Sequence, residues 1–149
     1  MRAVIQRVSS AKVIVDSKTV GEIGAGILLL LGVSNEDSEK EALYILEKTL
    51  NLRIFEDAED KMNLSLLDTK GALLVVSQFT LCGDARRGRR PSFSNAAAPE
   101  KARAIYDFFV GEARKRIKEV ETGQFQAMMN VELTNDGPVT ILLDSAKLF

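Results

Sequence analysis

The sequence predicts an α/β fold: a sheet-rich single domain over residues 1–149, with two helices packed on a mixed, barrel-like β-sheet. Three observations carry that expectation. Apolar and β-branched runs of strand length recur along the chain, two longer segments carry helical periodicity, and 46% hydrophobic residues among 149 suffice for one core of ordinary size. The expected order is ββ-β-α-β-β-α-β-β.

"RAVIQRV" (2–8) and "AKVIVD" (11–16) are β-branched and roughly alternating. "DSK" (16–18) separates the second from "TVGEI", which suggests a hairpin. "GILLLLGV" (26–33) is a continuous apolar run bounded by glycines and too short for a globular helix, so it reads as a strand buried on both faces at the centre of the sheet. Ser38 and Glu41 have the spacing of a capping box, and the segment they open places Ala42, Leu43, Leu46 and Leu50 on one helical face. "LRIF" (52–55) then reads as a short strand, "EDAEDKMN" (56–63) as an exposed loop and "ALLVVSQFTL" (72–81) as a second long buried strand. Residues 82–98 show no clear periodicity; loops of that length inside a compact domain are usually functional or disordered. Pro99 is placed to open a helix whose apolar positions Ala102, Ile105, Tyr106, Phe109, Ala113 and Ile117 follow the i, i+3, i+4 pattern. The basic run "RKRIK" (114–118) complements that helix's dipole, which explains its charge without nucleic acid. "FQAMMNVELT" (125–134) and "VTILLD" (139–144) give the last two strands, with Pro138 at the mouth of the second after an Asn-Asp-Gly turn.

Composition narrows the chemistry. The chain has no histidine, which excludes Ser-His-Asp and Cys-His catalysis, His-ligated zinc and an imidazole general base. A single cysteine, Cys82, excludes an internal disulfide framework and a thiolate metal cluster, and reads as a small apolar residue. No metal and no cofactor are expected. The N-terminal segment follows a charge-interrupted strand pattern and no run of about 18 apolar residues exists, so the expectation is a cytoplasmic protein without a membrane partner. Net charge is −1, yet four of the ten arginines lie in "RRGRR": Arg86, Arg87, Arg89 and Arg90.

Two stretches could carry chemistry. In "SQFTL" polar side chains follow five apolar ones, at the end of a strand. Ser77, Gln78 and Thr80 offer hydroxyls and an amide for holding an ester or oxyanion, and Phe79 offers a stacking surface. On spacing alone, ordinary strand and turn roles account for these common residue types more simply. "DARRGRRPSF" joins arginines, which pair bidentately with phosphate oxygens, to Phe93, which could stack on a base; a solvated loop is the alternative. The acidic clusters "NEDSEKE" and "EDAED" are explained by capping and solvation.

Taken together, "MRAVIQRVSSAKVIVD", "SQFTL", "GRRPSF" and "NDGPVT" resemble the D-aminoacyl-tRNA deacylase family, of the D-tyrosyl-tRNA deacylase type, over essentially the whole chain. That resemblance implies a homodimer acting on aminoacyl-tRNA and not on DNA. It implies hydrolysis of the ester joining a D-amino acid or glycine to tRNA, with L-aminoacyl-tRNA rejected. Residues 77–80 would line the pocket for the terminal adenosine and its ester. Gly137 and Pro138, joined by a cis bond, would reach into the partner's pocket as the chirality filter. Arg7 would support the Gly-Pro loop and Met129 would border the pocket. The family's mechanism is thought to use the substrate's own 2′-hydroxyl; an older view makes the threonine, here Thr80, a nucleophile. "LCGD" departs from the aromatic-containing version of many relatives, leaving no tyrosine role at Cys82. A non-catalytic tRNA-binding module and a Thr- or Ser-dependent esterase of small acyl compounds remain the rival readings.

Overall fold

β1 (Arg2–Val15) organises the sheet because both of its edges are paired. The structure, a computed structural model, describes residues 1–148. One edge of β1 runs antiparallel to β8 (Asn130–Asp144). The other is shared, first with β3 (Gly26–Gly32) and then with β2 (Lys18–Ile23), both antiparallel. β3 continues in parallel to β6 (Ala72–Ser77), and β6 in parallel to β7 (Val120–Thr122), giving the order β2-β1-β3-β6-β7 with β8 outside β1. The sheet curls until β2 meets β7. At Gly21 a β-carbon would lie 2.3 Å from the Thr122 carbonyl oxygen, so this approach, which nearly closes the barrel, requires glycine.

Alternation of side chains sorts the core into two layers. Ile27, Leu29, Leu31, Leu73 and Val75 face the helices, whereas Leu28, Leu74 and Val76 join Val8, Val13 and Ile23 inside the barrel. The continuous apolar runs of β3 and β6 follow from burial on both faces. α1 (Glu39–Asn51) begins with the expected capping box and α3 (Pro99–Arg114) with its proline. α3 joins parallel strands β6 and β7, and packs Phe109 and Ala113 against the helix-side core.

The mixed α/β class with a barrel-like sheet stands, and several boundaries move. The described residues hold three α-helices, because Ser65 and Asp68 form a second capping box that opens the four-residue α2 (Leu66–Thr69), too short to show a period. The two N-terminal strands are one, since β8 keeps pairing past the exposed Ser9 and Ser10 that break the alternation. Only Phe55 of the expected 52–55 strand is in β4 (Phe55–Glu56), which pairs with β5 (Met62–Leu64), a strand that begins within the 56–63 segment read as a loop. Ile45 and not Leu43 takes the buried place on α1. β7 precedes Gly123 and does not follow it, while residues 130–144 form a single strand with an irregularity where a turn was expected. No helix among the described residues is long and apolar enough to cross a membrane.

Candidate active site

β3, β6 and β7 are parallel, so their carboxyl ends share one rim, the position at which open parallel sheets present functional groups. β6 stops at Ser77, four residues short of the strand expected over 72–81, and the chain turns into a 3-10 helix over Phe79–Cys82. Three bonds hold this turn from beneath: Gln78 N–H donates to the Leu31 carbonyl at 2.8 Å, Arg2 Nη1 to the Leu81 carbonyl at 2.9 Å, and Cys82 Sγ to the Val33 carbonyl at 3.5 Å. Burial pushes the Cys82 thiol up, away from thiolate character. Phe79 and Thr80 are left exposed at the rim, and Phe79 retains 59% of its surface.

The Gln78 side-chain amide donates to Thr80 Oγ1. This bond occupies an oxygen lone pair and removes no proton. A neutral amide is not a base in either orientation, so Thr80 has a hydroxyl hydrogen to donate and no activator as a nucleophile. Among the described residues its only polar side-chain partner is this amide.

The aperiodic segment 82–98 is tethered. Asp84 and Ser92 exchange backbone hydrogen bonds of 2.8 and 2.9 Å, and Ser34 bridges to Ala96. The tether brings the Phe93 ring edge-on to Phe79, centroids 5.2 Å apart. The four arginines are not equivalent. Arg86 forks onto Asp84 through 2.9 and 2.6 Å bonds, and those side-chain bonds hold the Asp84 carboxyl well below the usual carboxylate range. Arg87, Arg89 and Arg90 are exposed and form no ion pair among the described residues. Met129 lies at the same rim: its sulfur packs against Gly123, whose N–H donates to the Val75 carbonyl.

Gly137 and Pro138 occupy a bulge on β8. Gln6 pairs with Thr140 and Val8 with Asn135, so residues 136–139 stand opposite Arg7 alone. Both are exposed, the bond between them is cis, and Gly137 has φ of 128°, a region closed to side chains. The bulge is held from two sides. Arg7, 5% exposed, donates Nε to the Asp136 carbonyl at 3.0 Å and Nη1 to the Ile54 carbonyl at 2.7 Å, with Glu56 and Asp136 carboxylates each 3.6 Å away. Asn135 Oδ1 accepts from the Val139 N–H at 2.7 Å, and its amide reaches Thr140 Oγ1 at 3.1 Å. Asn135 read from the sequence only as part of an Asn-Asp-Gly turn and its bracing role escaped, although asparagine ahead of Asp-Gly is the residue type that bonds its own backbone a few positions on. Arg7→Ala is expected to cost about 2–4 kcal/mol, since two charge-assisted bonds, one buried and one part-buried, are lost, and urea unfolding reads this directly. Arg7→Lys should recover less than half of the loss, because an ammonium lacks the fork that spans both carbonyls.

One chain brings Ser77, Gln78, Phe79, Thr80, Phe93, Met129 and the arginine loop to one rim, but it does not bring Gly137 and Pro138 there. Ser77 is in register with Leu31, Ala3 and Leu143. The bulge therefore lies three strands across and four residues along, each about 14 Å on the sheet surface.

Fold and site define a class: a barrel-like α/β domain that presents hydroxyl, amide and aromatic groups, with no imidazole, at the carboxyl ends of its parallel strands. The chain belongs to the D-Tyr-tRNA(Tyr) deacylase family, whose model matches residues 4–144. It is 63% identical over 149 residues to a D-aminoacyl-tRNA deacylase of Clostridioides difficile (strain 630) and 64% identical over 149 residues to one of Kosmotoga olearia, with all of both chains covered in each case. Among solved structures, one described as c-Myc DNA unwinding element binding protein matches at TM-score 0.92 and 43% identity, covering 97% of this chain and 98% of the other. A probable eukaryotic D-amino acid tRNA deacylase matches at TM-score 0.81 over 95% of this chain and 97% of its own; at 20% identity that likeness concerns the fold.

Proposed function

We propose that this protein hydrolyses the ester bond of D-aminoacyl-tRNA, and of glycyl-tRNA, releasing free tRNA and amino acid in the cytoplasm while sparing L-aminoacyl-tRNA. Residues 1–149 act as one domain, and the active unit is a homodimer. In it the Gly137-Pro138 bulge of one subunit meets residues 77–80 of its partner, where backbone carbonyls engage the substrate ammonium and crowd out an L side chain. Glycine passes the same filter because it presents no side chain to exclude.

The observation that carries this reading is the separation of the two motifs within one chain. The exposed bulge stands on β8, an outer strand that among the described residues pairs only with β1, and Leu142 on the same strand keeps 56% of its surface. A long edge strand with exposed apolar side chains is a surface that a second subunit covers. The pocket supplies geometry: Thr80 donates a hydrogen bond, the turn at 79–82 fixes the ester, and the substrate's vicinal 2′-hydroxyl assists the attacking water.

RNA affinity comes from the tethered loop. Replacing Arg87, Arg89 and Arg90 together by alanine is expected to weaken tRNA binding and to lower the slope of log affinity against log salt by about 2 to 3. Arg86→Ala should change that slope by less than half a contact, its charge already being matched by Asp84. Equal slopes for the triple variant and the unsubstituted protein would reduce the loop to a solvated excursion.

A further inference from the structure

We propose that Arg103, stacked on Phe125, is a further phosphate-binding residue at the rim of the active site, gripping the backbone of the RNA strand whose 3′ end enters the pocket. The inference rests on the functional reading above and extends its binding surface from the arginine loop to α3.

Placement comes first. α3 links two parallel neighbours, β6 and β7, so it returns antiparallel to them and its first turns lie at their carboxyl ends. The buried Tyr106 hydroxyl donates to the Val75 carbonyl at 2.8 Å, fixing the helix level with that residue. Arg103, three residues earlier, stands about 4.5 Å nearer the rim, a rise that corresponds to Val76 or Ser77 on a strand. Ser77 alternates with Leu73 and Val75, whose side chains face α3, so Arg103 and Ser77 share one side of the sheet.

Electrostatics comes next. Glu100 and Asp107 are the helical neighbours three before and four after Arg103, the spacings at which ion pairs form. Neither reaches it, and Arg103 forms no ion pair among the described residues. The guanidinium instead lies over the Phe125 ring, 4.8 Å from its centroid. Phe125 belongs to the turn that follows β7, and is itself backed by Tyr106 at 5.7 Å. A guanidinium seated over a ring, with no N–H committed to an ion pair among the described residues, has donors left for a phosphodiester, whose oxygens accept in the guanidinium plane. With Arg87, Arg89 and Arg90 it makes a positive border on the rim where Thr80 and Phe79 are exposed.

The test is the salt dependence of binding of the full-length protein to uncharged tRNA, measured for Arg103→Gln and for a control, Arg114→Gln. Arg114 is exposed on the same helix but about 16 Å further from the rim. Arg103→Gln should lower the slope of log affinity against log salt by about 1, the value of one phosphate contact, and Arg114→Gln should leave it unchanged. An unchanged slope for Arg103→Gln, with or without a fall in melting temperature, overturns the proposal and leaves the stack as a structural staple. So does an equal fall in both variants, which would reflect net charge. Turnover of D-aminoacyl-tRNA by the unsubstituted protein is measured alongside. Its absence would overturn the functional reading and this inference together, whereas turnover with an unchanged slope overturns the inference alone.

Discussion

Gly137→Ala is expected to remove nearly all turnover while leaving the protein folded. At φ of 128° any side chain is strained, by about 1–3 kcal/mol, and the new methyl would sit 2.8 Å from Val139 Cγ2 and 3.0 Å from Arg7 Nη2. Arg7 cannot yield, because it is buried and bonds to two carbonyls pin it, so the exposed bulge moves instead. Displacement of a substrate-positioning element by about 1 Å is enough for a loss near 100-fold. The sheet pairing on either side, Gln6 with Thr140 and Val8 with Asn135, is untouched, so circular dichroism and the urea midpoint should report a folded protein. Mixing tests the cross-subunit arrangement. Thr80→Trp blocks the exposed rim of the pocket, and in exchanged heterodimers with Gly137→Ala one site of two regains both intact motifs. Activity should return to about a quarter of the unsubstituted level, as random pairing of two protomers dictates. A mixture that exchanges but stays inactive would place both motifs in the same subunit's site.

The second large effect separates side-chain catalysis from positioning. Thr80→Ala should retain turnover to within about tenfold, the worth of one ordinary hydrogen bond, because the Gln78 amide that contacts Thr80 cannot take its proton. A 3′-linked substrate whose terminal ribose lacks the 2′-hydroxyl should lose about 100- to 10,000-fold, the range of general acid–base assistance, with binding retained. A trapped acyl group on Thr80, with rapid turnover of the deoxy substrate and an inactive Thr80→Ala protein, would make the threonine the nucleophile.

The long periodic elements and the polar strand end were legible in the sequence because each depends on local chemistry. The Ser38–Glu41 capping box, the apolar run of β3 and the intrusion of Ser77 and Gln78 after Val76 all carry their reasons within a few residues. What escaped depends on partners far along the chain. The bend into a 3-10 helix at Phe79 is drawn by Arg2 and by the Leu31 carbonyl. The bulge at residues 136–139 read as a turn because only the register with β1, set by Gln6 and Val8, reveals that the strand resumes beyond it. The arginine cluster read as four equal cations, whereas Asp84, two residues before it, withdraws Arg86. The roles proposed for Gly137 and Pro138 rest on family resemblance, since no local pattern points an exposed bulge toward a second subunit.

The most direct measurement compares one tRNA charged with the D and the L form of the same amino acid, incubated with the purified full-length protein, with released amino acid followed in time. The D-ester should be cleared while the L-ester decays only at its spontaneous rate, and the glycyl ester should be cleared as well. Equal release from both enantiomers would contradict a filter built on excluding an L side chain, and tight tRNA binding with no release from any of the three would mean that the rim is an RNA-binding surface and not an active site.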